Sequence, residues 1–176
     1  MKVVILNGGS RSGKPSLARR LQDALSSPWL RFSIDDLIGA MPDAMLNGEG
    51  GIELGSDGSV RSGDAFRSLE SAWMHGIAEM ARRGARVIVE EAFVSGPAAR
   101  ERWQASLEGL AVLWVGIFCD PAVVAARERE RGDRIAGMAA AQTEAVHVGM
   151  TYDVMVDTSE ASPERCAQVV ARRLAG

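Results

Sequence analysis

Five short apolar runs, each followed by a stretch of helical period, set out the chain. The runs occupy residues 3–6, 29–34, 86–91, 110–118 and 152–157. The fourth, LAVLWVGIF, is apolar without a break, which predicts a strand covered on both faces. Leu17, Leu21 and Leu25 mark a helix over 16–26, and residues 37–42 begin another that Pro42 cuts short. The longest helical pattern, 64–83, carries Phe66, Leu69, Trp73, Ile77 and Met80 on one stripe. Further helices are predicted after Gly96-Pro97, after an Asp120-Pro121 cap, around 137–147 and over 163–174. Strands alternating with helices predict an α/β fold on a five-stranded parallel sheet, in one domain over 1–176. Residues 47–63 break the alternation: six glycines stand among polar residues, with Ile52, Leu54 and Val60 as the apolar positions. They predict a small hairpin turning at Ser56-Asp57-Gly58, within an excursion over about 43–63 that covers the substrate.

The turn after the first run changes this from an outline of a fold to an outline of chemistry. Asn7 leads into Gly8, Gly9, Ser10, Arg11, Ser12, Gly13 and Lys14, the G-x-x-x-x-G-K spacing of a phosphate-binding loop between strand and helix. Such a loop aims backbone N–H groups and a helix N-terminus at an anion, and Lys14 adds a point charge. Pro15 stands where the pattern has Ser or Thr, whose hydroxyl would meet Mg²⁺, and Ser16 follows it. A tight turn packed closely on a sheet is the other reading of the same glycines.

Composition narrows the class without naming a reaction. A chain of 176 residues with 47% hydrophobic and 24% charged residues suits a soluble globular protein with a full core. The net charge of −3 offers no pull toward nucleic acid or an anionic membrane, and the basic residues are not interleaved with aromatics. Cys119 and Cys166 lack metal or redox spacing. No leader-like or spanning apolar stretch is visible, so a cytoplasmic location is expected.

Other candidates sit where the runs end, which in a parallel sheet is one crevice. Asp35 and Asp36 follow the second run and could take a proton from an acceptor hydroxyl, hold Mg²⁺, or cap a helix. Glu90 and Glu91 close the third run, either as an acid that holds a metal or its water or as a solvated strand end. Arg127, Arg129, Arg131 and Arg134 lie around Gly132: a solvated helix face, or a lid over about 127–140 that brings cations onto a transferring phosphate. His75 reads as structural, and His147 could reach the crevice. Met41, Met45 and Phe93 flank the excursion and fit either the core or an apolar substrate pocket.

With these residues assembled, the chain resembles the chloramphenicol phosphotransferase family of small P-loop kinases nearly end to end. The resemblance rests on ILNGGS with GK at 5–14, PWLRFSIDDLIGAMP at 28–42, EGGIEL at 49–54 and GARVIVEEAF at 84–93. It continues in ERWQ at 101–104, VLWVGIFCD at 112–120, RGDRIAGMAA at 131–140 and YDVMVDT at 152–158. It implies a three-layer P-loop fold of the nucleoside- and shikimate-kinase kind. It also implies an enzyme that moves a phosphoryl group from ATP, with GTP tolerated, to a hydroxyl of an antibiotic. Asp35 would be the general base, and Lys14, Arg131 and Arg134 would stabilise the phosphates. The residues from Gly8 to Ser16, with Arg127, would hold the nucleotide, its base near Asp157 and Thr158. Asp35, Met41, Glu90 and Phe93 would meet the acceptor, and Ser16, Asp35 and Glu90 the Mg²⁺. The chain departs from the family at Pro15, which removes a hydroxyl and an N–H and weakens nucleotide binding by roughly 1.5–3 kcal/mol unless another group compensates. Glu90 and Glu91 stand where the family usually has Asp, and the excursion differs, which points to another antibiotic such as a nucleoside-type one. The expected partners are nucleotide and antibiotic, without nucleic acid or membrane; a homo-oligomer stays open.

Overall fold

The first apolar run folds as β1 (Val3–Asn7), every residue of it buried. Its parallel neighbours are β5 (Val87–Glu91) and β6 (Val112–Phe118); β2 (Leu30–Ser33) lies outside β5 and β7 (Val154–Asp157) outside β6. All four pairings are parallel, from Val3↔Val87 and Val3↔Val112 at the centre outward. The computed structural model describes residues 1–46, 50–54, 60–131 and 143–175, and of Leu54, Val60 and Arg131 the backbone alone.

Side chains of a strand alternate between the two faces, and here both faces are covered. On one, α1 (Lys14–Ala24) and α7 (Pro163–Ala175) pack Leu17, Leu21 and Val170 against Val4, Leu6, Ile88 and Val115. On the other, α4 (Asp64–Arg82) and α5 (Pro97–Ser106) pack Met74, Ile77 and Trp103 against Val3, Ile5, Val89 and Trp114. The result is the expected three-layer α/β architecture. The buried side of α4 is turned slightly from the predicted stripe: Phe66, Glu70, Met74, Ile77 and Ala81 are buried, and Leu69 is largely exposed. A glutamate in that stripe is tolerated because Arg67 and Arg102 pair with it, at 2.8 and 3.1 Å.

A smaller cluster lies beside the sheet. After β2 come α2 (Ile34–Gly39), α3 (Asp43–Leu46) and the antiparallel pair β3 (Ile52–Leu54) and β4 (Val60–Ser62). The hairpin is therefore present, and its predicted turn at 56–58 lies outside the described residues. Met41, Ile52 and Phe66 form its small core, with Met45 packed at the side. The remaining helix, α6 (Pro121–Arg131), starts at the predicted cap: the Asp120 carboxylate accepts from the Ala122 N–H at 2.7 Å. No helix among the described residues is long and apolar enough to cross a membrane.

One polar cluster fixes the sheet edge where the phosphate loop begins. Buried Asn7 accepts the Phe93 N–H at 2.9 Å and donates from its amide to the Val146 carbonyl (2.8 Å) and the Tyr152 hydroxyl (2.6 Å). His147 stacks on Phe118 with centroids 4.0 Å apart, its Nδ1 2.7 Å from the same hydroxyl and its Nε2 3.2 Å from the Ile117 carbonyl. The Tyr152 ring lies over Gly116, where a Cβ would come within 2.6 Å of it. The end of β1 is thereby tied to the exit of β5, to β6 and to the segment around 146–152.

Candidate active site

The loop from Gly8 to Lys14 leaves β1 and enters α1 with two left-handed residues, Arg11 at φ 61° and Gly13 at φ 89°. Only glycine adopts such a φ without penalty; for Arg11 it costs roughly 1–2 kcal/mol. Gly8 is required for another reason: a Cβ there would sit 2.6 Å from Ser12 Oγ and 2.9 Å from the Ile117 carbonyl oxygen. Gly13 is the N-cap of α1, and neither a side-chain cap nor a first-turn acid occupies that helix end. Pro15 falls in the first turn, where an α-helix has no use for its N–H, so the helix starts normally without the usual hydroxyl.

The loop carbonyls are engaged by two residues distant in the chain and by the loop's own lysine. Lys14 Nζ donates to the carbonyls of Gly8 (2.6 Å) and Gly9 (2.9 Å). Arg127 donates to the Arg11 carbonyl (3.2 Å) and the Thr158 carbonyl (2.8 Å), and the Thr158 hydroxyl donates to the Ser12 carbonyl at 2.7 Å. Held in this way, a glycine-rich turn at a helix N-terminus is a site for anionic phosphate.

A crevice of about 610 Å³ opens over the loop. Its wall includes every residue from Ser10 to Ser16, then Arg19, Ser33, Ile34, Asp35, Glu90, Ala92, Arg127, Glu130, Thr158 and Pro163. The structure thus brings together Lys14, Ser16, Asp35, Glu90 and Arg127, as the strand-end reasoning expected, with buried Gly8 at the start of the loop. Arg131 closes α6 and only its backbone is described, while Arg134 and the rest of the predicted lid lie outside the described residues.

Two expected pocket residues are elsewhere. Phe93 is 1% exposed and packs against Trp114 in the central core, with ring centroids 6.3 Å apart. Met41 is buried in the hairpin cluster. Both are absent from the crevice wall and stabilise by burial instead. His147 likewise serves the Asn7 cluster, and His75 is an exposed helix residue with Nδ1 2.7 Å from the Ser71 carbonyl.

The two aspartates divide the roles that the sequence left open. Ser33 is the N-cap of α2; its hydroxyl accepts the Asp35 N–H, and the Asp36 carboxylate accepts the Ser33 N–H at 2.7 Å. Asp36 therefore completes a capping box, and the exposed Asp35 faces the crevice from the first turn.

The two glutamates also part. Glu90 is on the α1 face, inside the crevice wall, and its carboxylate receives Arg31 Nη1 at 2.9 Å. Burial pushes its pKa up, and the Arg31 guanidinium opposes that. Arg31, on the edge strand, is the partner that sequence reading missed. Glu91 points to the opposite face, where the Trp103 indole donates to it at 3.0 Å. Burial pushes Glu91 up to about 7, opposed by that indole hydrogen bond, with nearby Glu70 pushing the same way as burial. This takes Glu91 away from any metal.

The Glu91 shift has a measurable sign. The folded state holds a proton that the unfolded chain releases above about pH 4.5, so stability falls as pH rises from there to about 7. At about 1.4 kcal/mol per unit the total is on the order of 3 kcal/mol. Glu91→Gln keeps an oxygen for Trp103 and removes the ionisation. In urea unfolding it should match the parent near pH 5 and exceed it by about 2–3 kcal/mol near pH 8; a parallel pH dependence in both proteins would overturn the assignment.

A divalent ion has few protein donors here. Among the described residues no group of three acids, histidines or cysteines gathers as a metal site. Asp35, Glu90 and Glu130, with the hydroxyls of the loop, Ser33 and Thr158, are the side-chain oxygen donors of the crevice wall. That set fits Mg²⁺, which binds through one or two carboxylates plus substrate phosphates and keeps several waters.

Residues 1–175 match the family model described as chloramphenicol phosphotransferase-like protein. A Mycobacterium tuberculosis protein named as a candidate O-phosphotransferase is 28% identical over 176 residues, covering 90% of this chain and 75% of its own length. Among solved structures, a sugar kinase from Janibacter sp. superposes with a TM-score of 0.71 at 16% identity, over 99% of this chain and 95% of that one. The tunicamycin resistance protein of Deinococcus radiodurans gives 0.70 at 17% identity, over 98% and 94%. At these identities the solved structures show a shared fold, that of P-loop kinases.

Proposed function

Because this chain belongs to the chloramphenicol phosphotransferase-like family, it is a small-molecule kinase with a hydroxyl acceptor, and we propose that the hydroxyl belongs to an antibiotic that phosphorylation inactivates. The observation that carries the reading is the single crevice that joins the phosphate loop to Asp35. The family description and the fold shared with a tunicamycin resistance protein support an antibiotic as the acceptor.

ATP is the proposed donor, its phosphates lying on the loop from Gly8 to Lys14 and the N-terminus of α1. Asp35 accepts the proton of the acceptor hydroxyl as that oxygen bonds to the γ-phosphorus, and the bond from the γ-phosphorus to the bridging oxygen breaks, releasing ADP. Lys14, with Arg131 and Arg134, balances the charge on the transferring group. Asp35 and the Ser16 hydroxyl would hold Mg²⁺, which would supply positive charge against the nucleotide's phosphates; the Glu90 carboxylate is paired with Arg31.

The test is incubation with ATP, Mg²⁺ and a panel of hydroxylated antibiotics, including chloramphenicol and nucleoside types, read by mass spectrometry. A gain of one phosphate on an antibiotic is expected. Product from a sugar or another ordinary metabolite, and from no antibiotic, would replace the proposed acceptor and leave the kinase assignment in place.

A further inference from the structure

We infer that Arg127 and Thr158 are positioning residues that hold the phosphate loop in its binding shape through its backbone; the inference rests on the reading of that loop as the nucleotide site. The loop passes through two left-handed residues, one of them the non-glycine Arg11. A turn of this kind keeps its N–H groups aimed inward only while its carbonyls are held outward. Arg127 bridges two segments with one planar group: Nη1 donates to the Arg11 carbonyl and Nη2 to the Thr158 carbonyl, and Nη1 also lies 3.4 Å from Cys119 Sγ.

Thr158 completes the contact. It is 5% exposed, its hydroxyl donates to the Ser12 carbonyl at 2.7 Å, and its N–H bonds the Phe118 carbonyl at 3.0 Å. Its methyl group faces the position a Cβ would take on Gly13, at 3.7 Å. The loop is thus braced from α6 and from the turn after β7, more than 110 residues away in the chain, at consecutive carbonyls of Arg11 and Ser12. Pro15 gives this brace its importance: with no hydroxyl and no N–H at that position, binding depends on the backbone groups that remain.

The roles separate by chemistry. A residue that touches the nucleoside affects ADP and spares inorganic tripolyphosphate; a residue that shapes the loop affects both alike. Calorimetry with each ligand, on the full chain, should show Thr158→Val binding both about tenfold more weakly, the usual weight of one well-placed hydrogen bond. Thr158→Ser keeps the hydroxyl and should return both affinities to within about twofold. Arg127→Lys should also lose about tenfold for both, since one ammonium cannot span two carbonyls that a guanidinium fork bridges. Urea unfolding of each variant identifies those that fold as the parent does. The inference is overturned by a Thr158→Val protein that binds like the parent. A Thr158→Ser protein as weak as Thr158→Val, or losses confined to ADP, would overturn it equally. A parent that binds tripolyphosphate yet phosphorylates nothing would defeat the proposed function and leave the brace standing.

Discussion

Asp35→Asn is expected to cut turnover by about 10²- to 10⁴-fold, the range for loss of a positioned general base, while nucleotide affinity measured without Mg²⁺ stays within about twofold. Asparagine has the same shape and no proton affinity to offer. The capping box of helix α2 is made by Ser33 and Asp36 and stays intact in this variant. The contrast variant is Asp36→Asn, which disturbs the capping box and should cost about 0.5–2 kcal/mol of stability with turnover largely kept. Turnover by Asp35→Asn at the parent's rate would remove Asp35 as the base. Equal losses in both variants would make the effect one of helix α2 as a whole.

Arg31→Met should produce the largest loss of stability, and its size should depend on pH. Glu90 is 2% exposed at the side-chain level and Arg31 30%, so the glutamate carries the burial. Removing the cation leaves a buried carboxylate alone, which costs about 3–5 kcal/mol where the group must stay ionised. Its pKa, already above the usual value through burial, then rises further. A raised folded pKa means stability present at low pH and lost as pH climbs, and the variant loses more than the parent. Urea unfolding should show a deficit of about 3 kcal/mol near pH 8 and about 1 kcal/mol or less near pH 5. In a Glu90→Gln background the pH-dependent part should vanish. A deficit of one size at both pH values would mean that Arg31 acts by packing its stem and not by its charge.

What could be read from the sequence was mostly local. The glycine spacing from Gly8 to Lys14, the unbroken apolar runs and the Asp120 cap each depend on neighbours within a few residues, and each folds as expected. The split between Asp35 and Asp36 was also local, in the spacing of Ser33 to Asp36. What escaped depends on which strands lie side by side. Arg31 and Glu90 are 59 positions apart and meet only because β2 pairs with β5. Phe93 and Met41 looked like pocket residues because they flank polar stretches, and sequence order does not say which face an apolar side chain takes. Glu70 sat unnoticed in an apolar stripe because the arginines that pair with it come partly from another helix.

The Asn7 cluster has a consequence for where protons reside. The Phe93 N–H can only donate, so it fixes which end of the Asn7 amide is oxygen, and the other end must donate to Tyr152. The Ile117 carbonyl can only accept, so in the neutral ring His147 Nε2 donates to it and Nδ1 accepts the Tyr152 hydroxyl proton. A main-chain amide after β5 and an imidazole beside β6 are thus joined by one directed set of hydrogen bonds, through an asparagine and a tyrosine. Burial holds that imidazole below its usual pKa, with Lys14 assisting and the Ile117 carbonyl opposing. An extra proton on Nδ1 would set two donors on one hydroxyl and take from the Tyr152 proton the acceptor it has here, in a chain of hydrogen bonds that ends one residue before Gly8.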